Sequence, residues 1–220
     1  MRSVHQKSPF LIALVAAILL LSACTKNLTE VTTVYENDFN DGNLKGLQIV
    51  GWISNFSTGI FPETAKLLNY QGSTMIGRLN NSRAEVKVDS LPEHDVVRVE
   101  FDLYVHETWQ NDVFVMRFDD QFRLITGFST DSTVKQAYPN WVGNGSIEYP
   151  AGNLAQEIYL PSPCGKNVAR GTNRYKMIHS MAHTQTSFKF DVSDVGGALN
   201  DTCNRSWSVD NLKITVLNNQ

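Results

Sequence analysis

Residues that could do acid–base chemistry alternate along one segment of the chain. Glu100, Asp102, Tyr104 and His106 occupy every second position of residues 97–106, and the positions between them are apolar. In a β-strand, alternate side chains share a face and stand roughly 6.6–6.8 Å apart. Two carboxylates on one strand face suit a glycosidase, one as acid and one as nucleophile or base. A solvated polar face gives the same pattern without any chemistry.

A resemblance to an enzyme family bears on this choice. Glu100-Phe101-Asp102 resembles the start of the Glu-x-Asp-x-x-Glu motif of family 16 glycoside hydrolases. The match fails at the third acid, which would fall at Val105, or at Tyr104 in the shorter form of the motif. The segment therefore favours binding over catalysis, with glycan hydrolysis or lysis on the Glu100/Asp102 face as the alternative.

Two tryptophans lie in polar, turn-rich sequence rather than in an alternating pattern. Trp109 stands within residues 107–112 and Trp141 within residues 138–145. Exposed aromatic rings beside amide and carboxylate groups suit sugars, because the ring stacks on C–H groups while the polar groups bond hydroxyls. Alternatively, both rings fold back over the core. We predict one ligand-binding face consisting of Arg98, Glu100, Asp102, Tyr104, His106, Trp109 and Trp141.

The elements that must position these residues are strands. Period-two alternation recurs at residues 84–88, 97–106, 113–118, 122–125, 187–192 and 212–216, with Gly/Asn/Asp turn signals between them. This pattern predicts an all-β fold, a two-sheet antiparallel jelly-roll sandwich. No linker divides the body, so we predict one domain over residues 34–220. Residues 138–170 are the least regular stretch and predict a long loop.

The N-terminus predicts export and lipidation. A short basic segment is followed by an apolar run over residues 10–21, too short to span a bilayer but suited to a signal peptide. The run ends in Leu21-Ser22-Ala23-Cys24, which resembles a bacterial lipobox. The resemblance implies a signal peptide at 1–23, acylated Cys24, a lipidated tether over residues 24–33 and an envelope location, with the outer membrane favoured. Several acyl chains make a stable anchor.

Composition and cysteine count bear on the class of partner and on the presence of a disulfide. The 220 residues carry a formal net charge of -3 and no basic block, which argues against a nucleic-acid partner. With Cys24 lipidated, Cys164 and Cys203 remain as an even pair in an oxidising compartment. We therefore predict a disulfide between Cys164 and Cys203.

The two ends of the domain resemble one family pattern. Residues 35–42 read Y-E-N-D-F-N-D-G, followed by Gly51-Trp52, and residues 206–214 read S-W-S-V-D-N-L-K-I. Together they are similar to concanavalin-like and MAM-like jelly-roll modules of secreted proteins, many of which bind carbohydrate or mediate adhesion. The resemblance implies that the first and last strands pair. It also implies structural Ca²⁺ where they meet, held by oxygens of Asp38, Asn40, Asp41 and Asp210.

These observations predict a cell-envelope lipoprotein that binds a glycan or a surface partner without catalysis. The alternatives are a glycan hydrolase or lyase and a structural docking subunit of an envelope complex. A binder predicts Trp109 and Trp141 exposed on one surface. A hydrolase predicts Glu100 facing another acid at about 5–9 Å. A docking subunit predicts a contiguous apolar patch of at least several hundred Å².

Overall fold

The computed structural model describes residues 29–52, 60–62, 66–142, 148–165, 171–195 and 201–219. Within these ranges the chain forms thirteen strands and no helix long and apolar enough to cross a membrane. The strands are β1 Thr29–Asn37, β2 Gln48–Trp52, β3 Ile60–Pro62, β4 Leu67–Tyr70, β5 Ser73–Leu79, β6 Ser82–Asp89, β7 Val96–Glu107, β8 Gln110–Phe118, β9 Gln121–Ser129, β10 Glu157–Leu160, β11 Thr172–Ala182, β12 Ser187–Val195 and β13 Arg205–Asn219.

These strands form two antiparallel sheets, so the predicted all-β, two-sheet jelly-roll sandwich is confirmed. The first sheet has the order β10-β11-β7-β13-β5-β4, and β1 also pairs with β13. The second sheet has the order β3-β2-β6-β12-β8-β9. Every pair is antiparallel. Because successive side chains of a strand point to opposite faces, one face of each strand packs into the shared core and the other points outward. β10 lies inside the stretch that was expected to be loop.

The first and last strands pair as the family resemblance implied. β1 runs antiparallel to the C-terminal half of β13, with Val31 opposite Leu217 and Glu36 opposite Lys213. Residues 29–33, predicted as tether, are therefore strand, and this part of the prediction is wrong. Their β-branched residues favour strand, and the exposed side of β13 offers partners for their backbone groups.

The core between the sheets is rich in aromatic side chains. Phe114 meets Trp207 edge-on, with ring centroids 5.7 Å apart, and meets Phe128 in the same way at 5.8 Å. All three side chains are fully buried. Edge-to-face packing directs the positive ring edge at a negative ring face and adds to the stabilisation from burial.

One end of the sandwich is held by a buried carboxylate and by a disulfide. Asp194 of β12 accepts hydrogen bonds from Trp207 Nε1 at 2.7 Å and from Arg205 Nη2 at 2.7 Å, which ties the second sheet to β13. Cys164 and Cys203 form the predicted disulfide, with an S–S distance of 2.05 Å. It joins the chain after β10 to the chain before β13.

Candidate ligand-binding face

The outward face of the first sheet carries the even-numbered residues of β7, as the alternation predicted. Opposite Glu100 lie Ile178 of β11 and Lys213 of β13. Arg98 Nε lies 2.9 Å from Glu100 Oε1, and the Glu100 side chain remains 25% exposed. Lys213 Nζ reaches Glu36 of β1 at 3.4 Å. The accessible carboxylate of Glu100 is therefore held against a cation rather than against another acid.

Asp102 is the centre of this face and is buried. Its Oδ2 accepts a 2.8 Å hydrogen bond from Asn211 Nδ2. Arg174 Nη2 lies 3.5 Å from Oδ2 and Lys176 Nζ lies 3.6 Å from Oδ1. Both cations stand on β11 and are about one third exposed. Arg174 also donates to Glu157 Oε2 at 2.8 Å, so the network continues to β10 at the sheet edge.

Asp210 lies directly across the strand pair from Asp102. A predicted calcium ligand and a predicted ligand-binding residue are therefore neighbours. A bulge follows at once in β13, where Asn211 has φ 51°. Such bulges redirect side chains. Asn211 bonds both acids: its backbone N–H donates to Asp210 Oδ1 at 2.7 Å and its side chain donates to Asp102. Burial, and then repulsion by Asp102 among other charges, raises the pKa of Asp210.

The other end of the face is closed. Tyr104 packs edge-on against Tyr70 of β4, with centroids 5.9 Å apart, and Met75 completes this small buried cluster. Burial raises the pKa of Tyr104 to about 12. Tyr70 Oη donates to Pro161 O at 2.6 Å, so the chain after β10 also covers this end. Tyr104 therefore closes this end of the face and is not exposed for contact with a ligand.

His106 is fully buried, and its predicted role in ligand contact is wrong. Its two ring nitrogens lie 2.8 Å from Thr172 Oγ1 and 2.8 Å from Ser208 Oγ. Burial, with a smaller effect of the charge on Arg78, lowers the pKa of His106 to about 3. Alternation placed His106 on the outward face correctly, but neighbouring strands and the chain after β10 cover that position.

The prediction that Trp109 is exposed on the ligand-binding face is also wrong, because its side chain is 0% exposed. Its Nε1 donates to Ser206 O at 2.8 Å, and the Arg205 guanidinium lies 5.2 Å from its ring centroid. The polar neighbours in its loop predicted exposure. In the fold the ring turns inward and its N–H finds a backbone acceptor.

Trp141 is 38% exposed but does not lie on the face of Asp102. The next residue, Val142, donates its backbone N–H to Ile125 O at 2.8 Å, which places this segment beside β9 of the second sheet. The predicted rim of Trp109 and Trp141 around the β7 face is therefore not formed. The cations of β11 take its place. Alternation around Arg174 and Lys176 could have identified them as outward residues of a strand, but not as neighbours of β7.

The four predicted calcium ligands each accept a hydrogen bond from a neighbouring group. Asp38 Oδ1 and Asp41 Oδ1 accept local backbone hydrogen bonds from Asn40 and Asn43. Asn40 Oδ1 accepts from Thr74 N, while Asp210 Oδ2 accepts from Ser73 Oγ. Among the described residues no three His, Cys, Asp or Glu side chains are grouped closely enough to hold a metal ion. Calcium binding by Asp38, Asn40, Asp41 and Asp210 stays a prediction.

Comparisons with known proteins give distant likenesses only. No protein-family model and no curated protein matches the chain. A family 35 carbohydrate-binding module from Clostridium thermocellum aligns at 11% identity and TM-score 0.33, covering 85% of this chain and 97% of that one. The carbohydrate-binding module CBM6cm-2 of Cellvibrio mixtus lichenase 5A, solved with cellotriose, aligns at 11% identity and TM-score 0.33, covering 86% and 98%. Likeness at this level carries no argument about this chain's ligand.

Proposed function

We propose that this chain is a non-catalytic glycan-binding domain displayed on the bacterial cell envelope. The site is the charged face, which we define as Arg98, Glu100, Asp102, Arg174, Lys176 and Lys213. The observation that carries the proposal is the arrangement of accessible cations and an accessible carboxylate around buried Asp102, with each group held by an ion pair.

The pattern of donors and acceptors favours a hydroxyl-rich ligand. Arg174 and Lys176 present donors, Glu100 and Glu157 present acceptors, and all four side chains are partly exposed. Sugar hydroxyls both donate and accept, so a surface with alternating partners can bond several of them at once. Because strand pairing and ion pairs already restrict these side chains, binding a glycan costs less ordering entropy.

The same contacts disfavour hydrolysis. A hydrolase needs two carboxyl groups facing the scissile bond from accessible positions. Glu100 is accessible and paired with Arg98, whereas Asp102 and Asp210 are both buried. Asp102 and Asp210 therefore support the face from below rather than flank a substrate.

Attachment to the membrane through Cys24 forms part of the proposal. Cys24 lies outside the described residues, and the proposal rests on the lipobox-like sequence before it. Metabolic labelling with a palmitate analogue is expected to label the full chain and not Cys24→Ser. Equal labelling of both proteins would contradict the anchor and leave the binding proposal standing.

The binding proposal is tested with the full chain, purified in detergent, on a glycan array and then by calorimetry with the best glycan. Lys176→Met keeps the side-chain length and removes the charge, and Glu100→Gln removes the acceptor charge. Each is expected to weaken binding about tenfold, since a hydrogen bond to a charged group contributes roughly 1.5 kcal/mol. Lys135→Met, on the exposed segment after β9, is the matched control.

Unchanged affinity in both Lys176→Met and Glu100→Gln would reject the charged face as the site. An equal loss in Lys135→Met would show that the effect is one of overall charge. Absence of binding to every glycan would reject the proposed function and favour a protein partner. Release of shorter sugars, abolished in Glu100→Gln, would establish the hydrolase alternative.

A further inference from the structure

The outward face of the second sheet carries a row of four polar residues and one phenylalanine that crosses five strands. Register partners place side by side Gln48 of β2, Glu85 of β6, Asp191 of β12, Arg117 of β8 and Phe122 of β9. Neighbouring strands lie about 4.8 Å apart, so the row extends over roughly 19 Å. It ends in the Phe122 ring, which is 53% exposed.

A depression of about 380 Å³ lies at the other end of this row. Gly46, Gln48, Glu85, Val86, Lys87 and Lys189 line it. A side chain built at Gly46 would meet nothing within 4 Å, so this border of the depression is open. The volume falls within the range of ordinary ligand pockets.

Asp191 lies beside the depression, directly across the strand pair from Glu85. Its side chain is 0% exposed. Arg117 donates twice to Oδ1, from Nε at 2.9 Å and from Nη2 at 2.7 Å. Oδ2 is buried and has no hydrogen-bond partner among the described residues. Because this carboxylate is covered, Asp191 lies beneath the row, and a ligand would bond the accessible groups beside it, Glu85 and Lys189.

The groups around the depression form a network in which opposite charges alternate. Arg83 lies 3.0 Å from Glu85, and Lys189 lies 2.9 Å from Asp120 and 3.8 Å from Glu85. No single sign of charge dominates, so neither an anion nor a cation alone is favoured. A ligand whose groups both donate and accept, with apolar C–H faces for Phe122, matches these surroundings.

We propose that the second sheet holds a separate saccharide-binding site, centred on Glu85 and Lys189 and extending along the row toward Phe122. The site lies on the opposite side of the sandwich from the charged face. The inference does not depend on glycan binding at the charged face. If both sites bind, one chain contacts two glycan segments and can cross-link them.

The test is a backbone-amide NMR titration of the full chain, labelled with deuterium and nitrogen-15, in detergent micelles. The probes are soluble hexasaccharides of β-1,4-glucose, β-1,4-xylose, β-1,4-mannose and α-1,4-galacturonate. The backbone of Val86 lies beside the depression, between the outward residues Glu85 and Lys87, and Ile178 lies exposed on the charged face, so their amide signals report the two sites separately. Val99, fully buried in the core, is the internal control.

The expected result is a saturable shift of the Val86 signals with at least one hexasaccharide, while Val99 stays unchanged. Glu85→Gln and Phe122→Ala are each expected to weaken this response at least tenfold, and Lys176→Met is expected to leave it unchanged. Glu85 and Phe122 are both on the outward face of the second sheet, and a thermal melt of each variant checks that the fold is kept.

The outcomes separate this inference from the proposed function. A shift at Ile178 alone would overturn the second site and keep the charged face. A shift at Val86 alone would support the second site and reject the charged face. No shift at either position with any of the four probes would overturn both. A Val86 response that survives in both Glu85→Gln and Phe122→Ala would also overturn the second site.

Discussion

Acidification is expected to destabilise the fold through His106. The ring is fully buried between two hydroxyl groups, and burial lowers its pKa from 6.5 to about 3. The folded protein therefore binds fewer protons at this site than the unfolded chain does between pH 6.5 and about 3. A lowered histidine pKa contributes stability that is present above the unfolded value and is lost as pH falls below 6.5.

The magnitude follows from the two pKa values. At pH 5 the unfolded histidine is almost fully protonated and the folded one is almost fully neutral. With RT of about 0.59 kcal/mol, the logarithm of the ratio of their binding polynomials gives roughly 2 kcal/mol of stability lost between pH 7 and pH 5. That is a large fraction of the 5–15 kcal/mol typical of a folded domain.

Urea unfolding at pH 7 and pH 5 measures this effect when the chain is compared with His106→Gln. Glutamine offers one donor and one acceptor to Thr172 and Ser208 but does not titrate. The loss of unfolding free energy on acidification is expected to be smaller by about 2 kcal/mol in the variant. Contributions from His183, and opposite ones from Asp210, are present in both proteins and cancel in the difference.

Equal losses in the two proteins would refute this reasoning. So would an NMR titration in which the His106 ring takes up a proton near pH 6.5 in the folded state. A variant that is unfolded at pH 7 would be replaced by His106→Asn for the same comparison.

Three further predictions concern stability. Asp194→Asn keeps the side-chain shape but places an amide N–H₂ among four hydrogen-bond donors, two of them from Trp207 and Arg205. We expect the variant to lose roughly 3–5 kcal/mol of unfolding free energy, measured in urea. A loss below about 1 kcal/mol would contradict the anchoring role of Asp194. Replacing both Cys164 and Cys203 by serine opens a loop with a sequence separation of 39. We expect this to lower the unfolding free energy by about 4 kcal/mol. The same denaturant midpoint with and without reductant would show that the crosslink is dispensable. Replacing chelator by millimolar Ca²⁺ is expected to raise the melting temperature by several degrees, because an ion that binds only the folded chain stabilises it; an unchanged melting temperature would contradict the predicted calcium site.

The sandwich could be predicted because its signal is local. In β7, the apolar and polar residues alternate within one strand, so the face that enters the core is written into adjacent positions. The Cys164–Cys203 disulfide followed from counting cysteines in a chain predicted to be exported, without any knowledge of the fold. The pairing of β1 with β13 followed from family resemblance at the two ends.

The charged face could be predicted only in part. Alternation identified Arg98, Glu100 and Asp102 as one outward row, and the structure keeps them together. The same alternation could not show that Arg174 and Lys176 stand beside them, because strand order is decided by pairing between distant segments.

Thus residue type and spacing along the chain were enough to predict the six alternating segments, the direction of their faces and the disulfide. Which outward residues are covered, and which of them meet, depends on how distant segments pack. Asp102 and Asp210 are 108 positions apart and become neighbours through strand register. His106 and Trp109 are buried because other segments pack over them. Burial is a property of the neighbours that the fold supplies, and no spacing within one strand contains it.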